Sequence, residues 1–131
     1  MKDTNMSFDL TMNSDLDTGI QKITEALKTE GFGVLTRIDF DQKIKEKLGH
    51  TLPRTVILGA CNPTIAYEAY VQDPNMLLLV PCNVVVTETS NQELSARFIK
   101  PSAMLKALEN PSLLPFAKIA DLMLEKAVTK I

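Results

Sequence analysis

The chain has little of what holds secreted proteins together. Two cysteines in 131 residues are too few for a disulfide framework, and a reducing compartment is the simpler reading. The opening Met1-Lys2-Asp3-Thr4-Asn5 leads into no apolar signal core, so a cytoplasmic location is expected. Long apolar runs are missing as well. The longest, Met76 to Val86, is interrupted by Pro81 and Asn83 and falls far short of the ~20 residues that span a bilayer. No membrane role is expected. Charge of one sign is nowhere concentrated: 14 basic and 16 acidic residues leave a net −2, spread without blocks or stripes. That excludes the usual electrostatic footprint of a nucleic-acid binder. No Gly-rich phosphate loop, Ser/His/Asp arrangement or paired-carboxylate motif occurs, so those enzyme classes gain no support.

What is present is an ordinary globular composition, 45% hydrophobic and 23% charged, in a length that suits one domain over residues 1–131. Residues 1–5 are expected to be a loose N-terminus. Met6, Phe8, Leu10 and Met12 alternate as a half-buried strand would. Ser14 is placed to cap a helix in which Leu16, Ile20, Ile23 and Leu27 recur at helical spacing, and Gly31 supplies its stop. Phe32 to Phe40 returns to period two, with Val34, Ile38 and Phe40 on one face and Arg37 and Asp39 on the other. A short helix over Asp41 to Leu48 and a loop at Gly49–Pro53 precede an apolar strand, Thr55 to Ala60. Asn62-Pro63 reads as cap and first residue of the next helix, which breaks at Asp73-Pro74-Asn75. Strands Leu77–Thr89 and Leu94–Lys100 flank a polar hairpin turn, Ser90–Glu93, and Glu93 and Arg97 read as surface charges. Helices open at Pro101-Ser102 and over Leu113–Ile131. The predicted order is β-α-β-(short α)-β-α-β-β-α, an α+β fold whose strands form a single mixed or antiparallel sheet, with helices packed on one face.

Three segments resemble a known family: Gly33-Val34-Leu35-Thr36-Arg37-Ile38-Asp39-Phe40, Leu58-Gly59-Ala60-Cys61-Asn62-Pro63 with Ala66, and Leu77-Leu78-Leu79-Val80-Pro81-Cys82-Asn83-Val84. Together they are similar to the bacterial and archaeal domain of unknown function 302. The resemblance covers roughly residues 6 to 128. It implies a TATA-binding-protein-like α+β arrangement, usually a homodimer, and carries over no activity, cofactor or catalytic residue.

The candidate site gathers around Cys61, Asn62 and Cys82. Cys61 ends a strand just before a helix N-terminus, where the helix dipole can lower a thiol pKa; filling a gap in the core is the competing role. Cys82 follows Pro81 in an apolar run, where a strand irregularity could aim it at Cys61. The two are expected to form no disulfide, and their sulfurs are expected to line one cavity. His50, the single histidine, is the one candidate base for a Cys61 nucleophile. His50, Cys61 and Cys82 together could give a three-ligand zinc site with an open position, although their spacings match no local zinc signature. Asn62 and Thr64 flank backbone N–H groups that could meet an anion, and capping explains Asn62 equally well. Tyr67 and Tyr70 are expected to pack in the core, and the methionines to fill gaps.

Three functions remain open. In order they are a dimeric module binding or sensing a small ligand, metal or thiol compound near Cys61 and Cys82; a cysteine-nucleophile enzyme using Cys61 with His50; and a protein-interaction domain without a small-molecule site. The homodimer is expected to use the sheet. Leu77–Val80 and Val84–Val86 are apolar at consecutive positions, so both strand faces there need shielding from water.

Overall fold

The protein is described over residues 1–131 by a computed structural model. Its strands are β1 (Lys2–Asp3), β2 (Ser7–Met12), β3 (Gly33–Asp39), β4 (Thr55–Cys61), β5 (Cys82–Ser90) and β6 (Glu93–Ile99). Its helices are α1 (Leu16–Thr29), α2 (Phe40–Leu48), α3 (Pro63–Gln72), α4 (Pro101–Leu105) and α5 (Leu114–Thr129), with a 3-10 turn at Pro74–Leu78 and two shorter ones between α4 and α5. The six strands form one sheet in the order β1-β2-β6-β5-β4-β3, and every neighbouring pair is antiparallel. The α+β fold with helices on one face is as the sequence predicts. The N-terminus is not loose: Lys2 and Asp3 pair with Asp9 and Phe8.

Alternation decides which face is buried. Phe8 and Met12 of β2, Leu94, Ala96 and Phe98 of β6, Val84 and Val86 of β5, and Val56, Leu58 and Ala60 of β4 all point to one side. On that side α1 and α5 pack against the sheet and against each other. α1 contributes Leu16, Ile20, Ile23 and Leu27, the predicted stripe, all buried. Its N-cap is Asp15, which accepts from the Thr18 N–H at 2.8 Å, and not Ser14, whose hydroxyl donates to the Asp15 carbonyl. Its C-terminus is a Schellman turn. Gly31 takes φ +82° and its N–H reaches the Lys28 carbonyl, while the Phe32 N–H reaches Leu27. That turn drops Phe32 into the core beside Leu27.

The opposite face carries no helix. Its middle row runs Ile38–Ile57–Val85–Arg97–Asp9 across five strands, and its members are exposed or only partly buried. Ile38 belongs to this row because β3 is irregular between Val34 and Thr36. One extra residue inverts the side-chain alternation beyond it. Val34 therefore packs inward opposite Ala60, while Ile38, predicted on the same face, pairs with Ile57 outside and is 47% exposed.

The segment before β5 departs from expectation. Leu77–Pro81 is not strand; Pro74–Leu78 forms the 3-10 turn, and β5 starts only at Cys82. Pro74 fits the first position of such a turn, and Asp73 caps it through the Asn75 N–H at 3.0 Å. Of the turn's residues only Met76 is buried, and Leu78 is 83% exposed. The consecutive leucines are thus no evidence for a two-faced strand, whereas Val84, Val85 and Val86 are, with Val85 facing outward. The hairpin is as predicted, turning at Asn91-Gln92 with Gln92 at φ +60°.

Candidate functional site

β4 ends where Asn62-Pro63 turns the chain into α3. Asn62 is extended (φ −96°, ψ 104°), and its side-chain oxygen accepts from the Ile65 N–H at 3.2 Å. Pro63 occupies a position where no amide hydrogen is needed. The Asn62 amide also donates to the Glu30 carbonyl at 3.2 Å, tying the start of α3 to the end of α1. One strand over, Cys82 opens β5 opposite Ala60 and so points to the helix side of the sheet. Between these strand ends and the helices lies a cavity of about 40 Å³. Ala60, Cys61 and Asn62 line it from β4 and the cap, and Cys82 from β5. Met76 of the 3-10 turn, Met104 of α4 and Phe116 of α5 line it too. Apart from Asn62 and the two cysteines the lining is apolar, and no charged side chain takes part. Cys61 follows inward-facing Ala60 in β4, so its side chain turns to the opposite face of the sheet from Cys82.

Both cysteines are free. Burial pushes the Cys82 thiol from 9.0 up to about 12, with smaller contributions from the charges of Cys61 and Asp121. Cys61 is close enough for its charge to be felt at Cys82, and burial raises its own thiol as well. Burial favours the neutral form of both thiols, which lends no support to an activated Cys61.

His50 is not part of this arrangement. It is exposed, follows Gly49 after the end of α2, and does not line the cavity. The His50/Cys61/Cys82 zinc site is not assembled. No three His, Cys, Asp or Glu side chains are grouped to hold a metal ion. Tyr67 and Tyr70 are also corrected: Tyr67 is 67% exposed, Tyr70 is exposed too, and α3 buries only Ala69. Thr64 is exposed beside a helix start whose Ile65 N–H the Asn62 side chain already occupies. Glu93 and Arg97 are at the surface as read: Glu93 accepts from the Thr89 hydroxyl at 2.8 Å, and Arg97 pairs with Asp9 at 3.3 Å.

Asn62→Ala should cost about 1 kcal/mol for the lost cap. A further ~1 kcal/mol should follow from leaving the Glu30 carbonyl without its donor. Asn62→Asp keeps the cap acceptor and should lose roughly half as much, because only the donor is missing. Urea titration of the two variants measures both, and equal losses would dissolve the distinction.

Comparisons agree with this architecture. The family described as Domain of unknown function DUF302 matches residues 8–131. Among solved structures, the crystal structure of an uncharacterised conserved protein DUF302 from Bacillus stearothermophilus superposes with a TM-score of 0.87 at 24% identity, covering 97% of this chain and 98% of that one. At that identity the likeness speaks for the fold alone. No curated protein matches.

Proposed function

Because this chain belongs to the DUF302 family, a domain whose description assigns no reaction, we propose its role from the cavity itself: a homodimeric module that binds or senses a small ligand, metal ion or thiol compound beside Cys61 and Cys82. The observation that supports this most is that both cysteines, 21 positions apart in sequence, line one apolar cavity. Size limits the occupant. One water needs roughly 10–15 Å³, so about 40 Å³ takes an ion or a few heavy atoms. A nucleotide or flavin does not fit. The uncovered outer face of the sheet supports the dimer, and its apolar row Ile38–Ile57–Val85 is the surface a second copy would cover.

Binding is tested by titrating folded protein with Cu(I), Zn(II) and small thiols while following the unfolding midpoint and the alkylation of both cysteines. An occupant at about 100 times its Kd should add about 2.7 kcal/mol and protect the thiols. Ala66→Phe, which fills the cavity, should remove both effects. If no compound stabilises the protein or shields either thiol, the binding reading falls.

The thiols carry their own prediction. At pH 7.5 iodoacetamide should modify Cys82 about a thousandfold more slowly in the folded chain than in the unfolded one. About 12 against 9.0 is three pH units, and each unit is about tenfold in thiolate. The raised pKa also fixes the sign of a stability change. The neutral Cys82 thiol contributes its full stability below pH 9.0, and the contribution fades as pH climbs toward about 12. Stability measured across that window should fall more steeply in the wild type than in Cys82→Ser. Parallel curves, or a Cys82 that alkylates as fast folded as unfolded, would show that the thiol is not desolvated.

A further inference from the structure

We infer that α2 is a docking arm for a second copy of this chain, its apolar stripe closing one flank of an interface centred on Ile57. This rests on the dimer reading above and says where on the sheet, and with which helix, the two copies meet. Phe40, Ile44 and Leu48 recur at every fourth position, so they share one face of the helix. Such a stripe normally faces the core of its own chain. Here Phe40 is exposed, Ile44 is only partly buried and Leu48 is 65% exposed. The one buried residue of α2 is Asp41, which accepts from the Thr55 N–H at 3.0 Å and pairs with Arg54 at 3.2 Å. Helices shorter than about 12–15 residues are marginal in water without packing, and α2 has nine. Its stripe calls for a cover that the chain does not itself supply.

A second copy is that cover on two grounds. One is continuity. β3 runs directly into α2, and Ile38, two residues before Phe40, begins the row Ile38–Ile57–Val85 on the uncovered face of the sheet. Row and stripe therefore lie at the same end of the sheet. At its other end that face turns polar: β6 and β2 present Arg97 and Asp9, paired at 3.3 Å, with Ser95 and Thr11 beside them. The other ground is area. Three strands about 4.8 Å apart and about 20 Å long project roughly 300 Å², well short of the ~800 Å² per partner of a standard interface. The nine residues of α2 add a flank about 13 Å long and 10 Å wide. Each copy of a two-fold dimer both lends this flank and receives the other's, so the gain counts twice. Ile57 is mid-row, so a two-fold axis over it brings the two apolar rows together. That axis leaves each α2 at the rim, with Lys43, Lys45 and Lys47 in water, and leaves the Thr11 end of the face outside the contact.

The test is dilution of the full chain across the dimer Kd by analytical ultracentrifugation, with hydrogen exchange of α2 at the same concentrations. Leu48→Lys changes a side chain that is in solvent in the single chain, so it should fold, as far-UV circular dichroism would verify. Its Kd should rise at least tenfold. Thr11→Lys, at the polar end of the same face, should leave Kd within twofold. Protection of the amides of residues 44–48 should grow with protein concentration in the wild type and stay at its dilute value in Val85→Glu. Three results would overturn the inference: a folded Leu48→Lys that dimerises as tightly as the wild type, a Thr11→Lys that weakens the dimer as much as Leu48→Lys, or α2 protection that ignores concentration while the wild type passes from monomer to dimer. Each of these leaves the dimer reading standing. A wild type that stays monomeric at every concentration removes both.

Discussion

Cutting Phe98 back to alanine is expected to lower the unfolding free energy by about 3–5 kcal/mol. Phe98 is fully buried in β6, with Phe8 of β2 opposite it on one side and Val84 of β5 on the other. The cost of such a truncation depends on how far the surroundings can close in. Here they are strand residues fixed in hydrogen-bonded ladders on both flanks, so the void persists and the upper part of the range applies. For a domain with the usual total of about 5–15 kcal/mol, that brings the variant close to unfolding at room temperature. Phe98→Leu leaves less empty space and should cost about 1.5 kcal/mol or less. Urea denaturation gives both values, provided the slope with denaturant is unchanged. A loss below about 1 kcal/mol for the alanine variant would mean that the sheet relaxes far more than its registry suggests. Phe98 does not line the cysteine cavity, so at a temperature where the variant is folded its ligand affinity should equal that of the wild type.

Val85→Glu is expected to split the proposed homodimer into monomers. Val85 lies mid-row on the uncovered face, between Ile57 and Arg97. Six strands about 4.8 Å apart and about six residues long present on the order of 500 Å² in projection. Accessible area exceeds projected area, so the face reaches the lower limit of a specific interface, roughly 600 Å² per partner. In a two-fold dimer each substitution appears twice in the same interface. Two unpaired carboxylates buried there should cost at least about 4 kcal/mol, or about a thousandfold in Kd. Light scattering coupled to size exclusion should give twice 14.5 kDa for the wild type and 14.5 kDa for Val85→Glu, with unchanged far-UV circular dichroism. Tyr67→Glu, on the exposed surface of α3, should leave the dimer intact. A wild-type mass of 14.5 kDa at micromolar concentration would remove the dimer altogether.

Much of the fold was legible because its signals are local. The stripe of α1, the Gly31 stop, the Asn62-Pro63 start and the Ser90–Glu93 turn each depend on a few neighbouring residues, and each formed where predicted. The failures share a different cause. An extra residue in β3 leaves no mark in the sequence, since Val34-Leu35-Thr36 reads as regular strand; only pairing with β4 reveals it. The apolar run Leu77–Val80 fits a strand as well as a turn, and the boundary was set by Pro74 and Asp73 upstream. At the site, Cys61 and Cys82 were legible together because adjacent strands bring them there. Met76, Met104 and Phe116 were not, because they come from elements whose packing no local pattern encodes. His50 was read into the site only because it is the single histidine, and scarcity gives no position.

The sheet order places β2 beside β6, and this has a consequence for synthesis. Phe8 must pair with Phe98, so the partner of an early strand is made last among the strands. At about 5–20 residues per second, the stretch between them takes on the order of 5–20 s to emerge. Throughout that interval Phe8, Leu10 and Met12 form an apolar strand with open edges, the kind of segment that chaperones hold and that aggregates when they do not. Slow translation anywhere between Met12 and Leu94 should therefore lower the yield of soluble protein without changing its final stability.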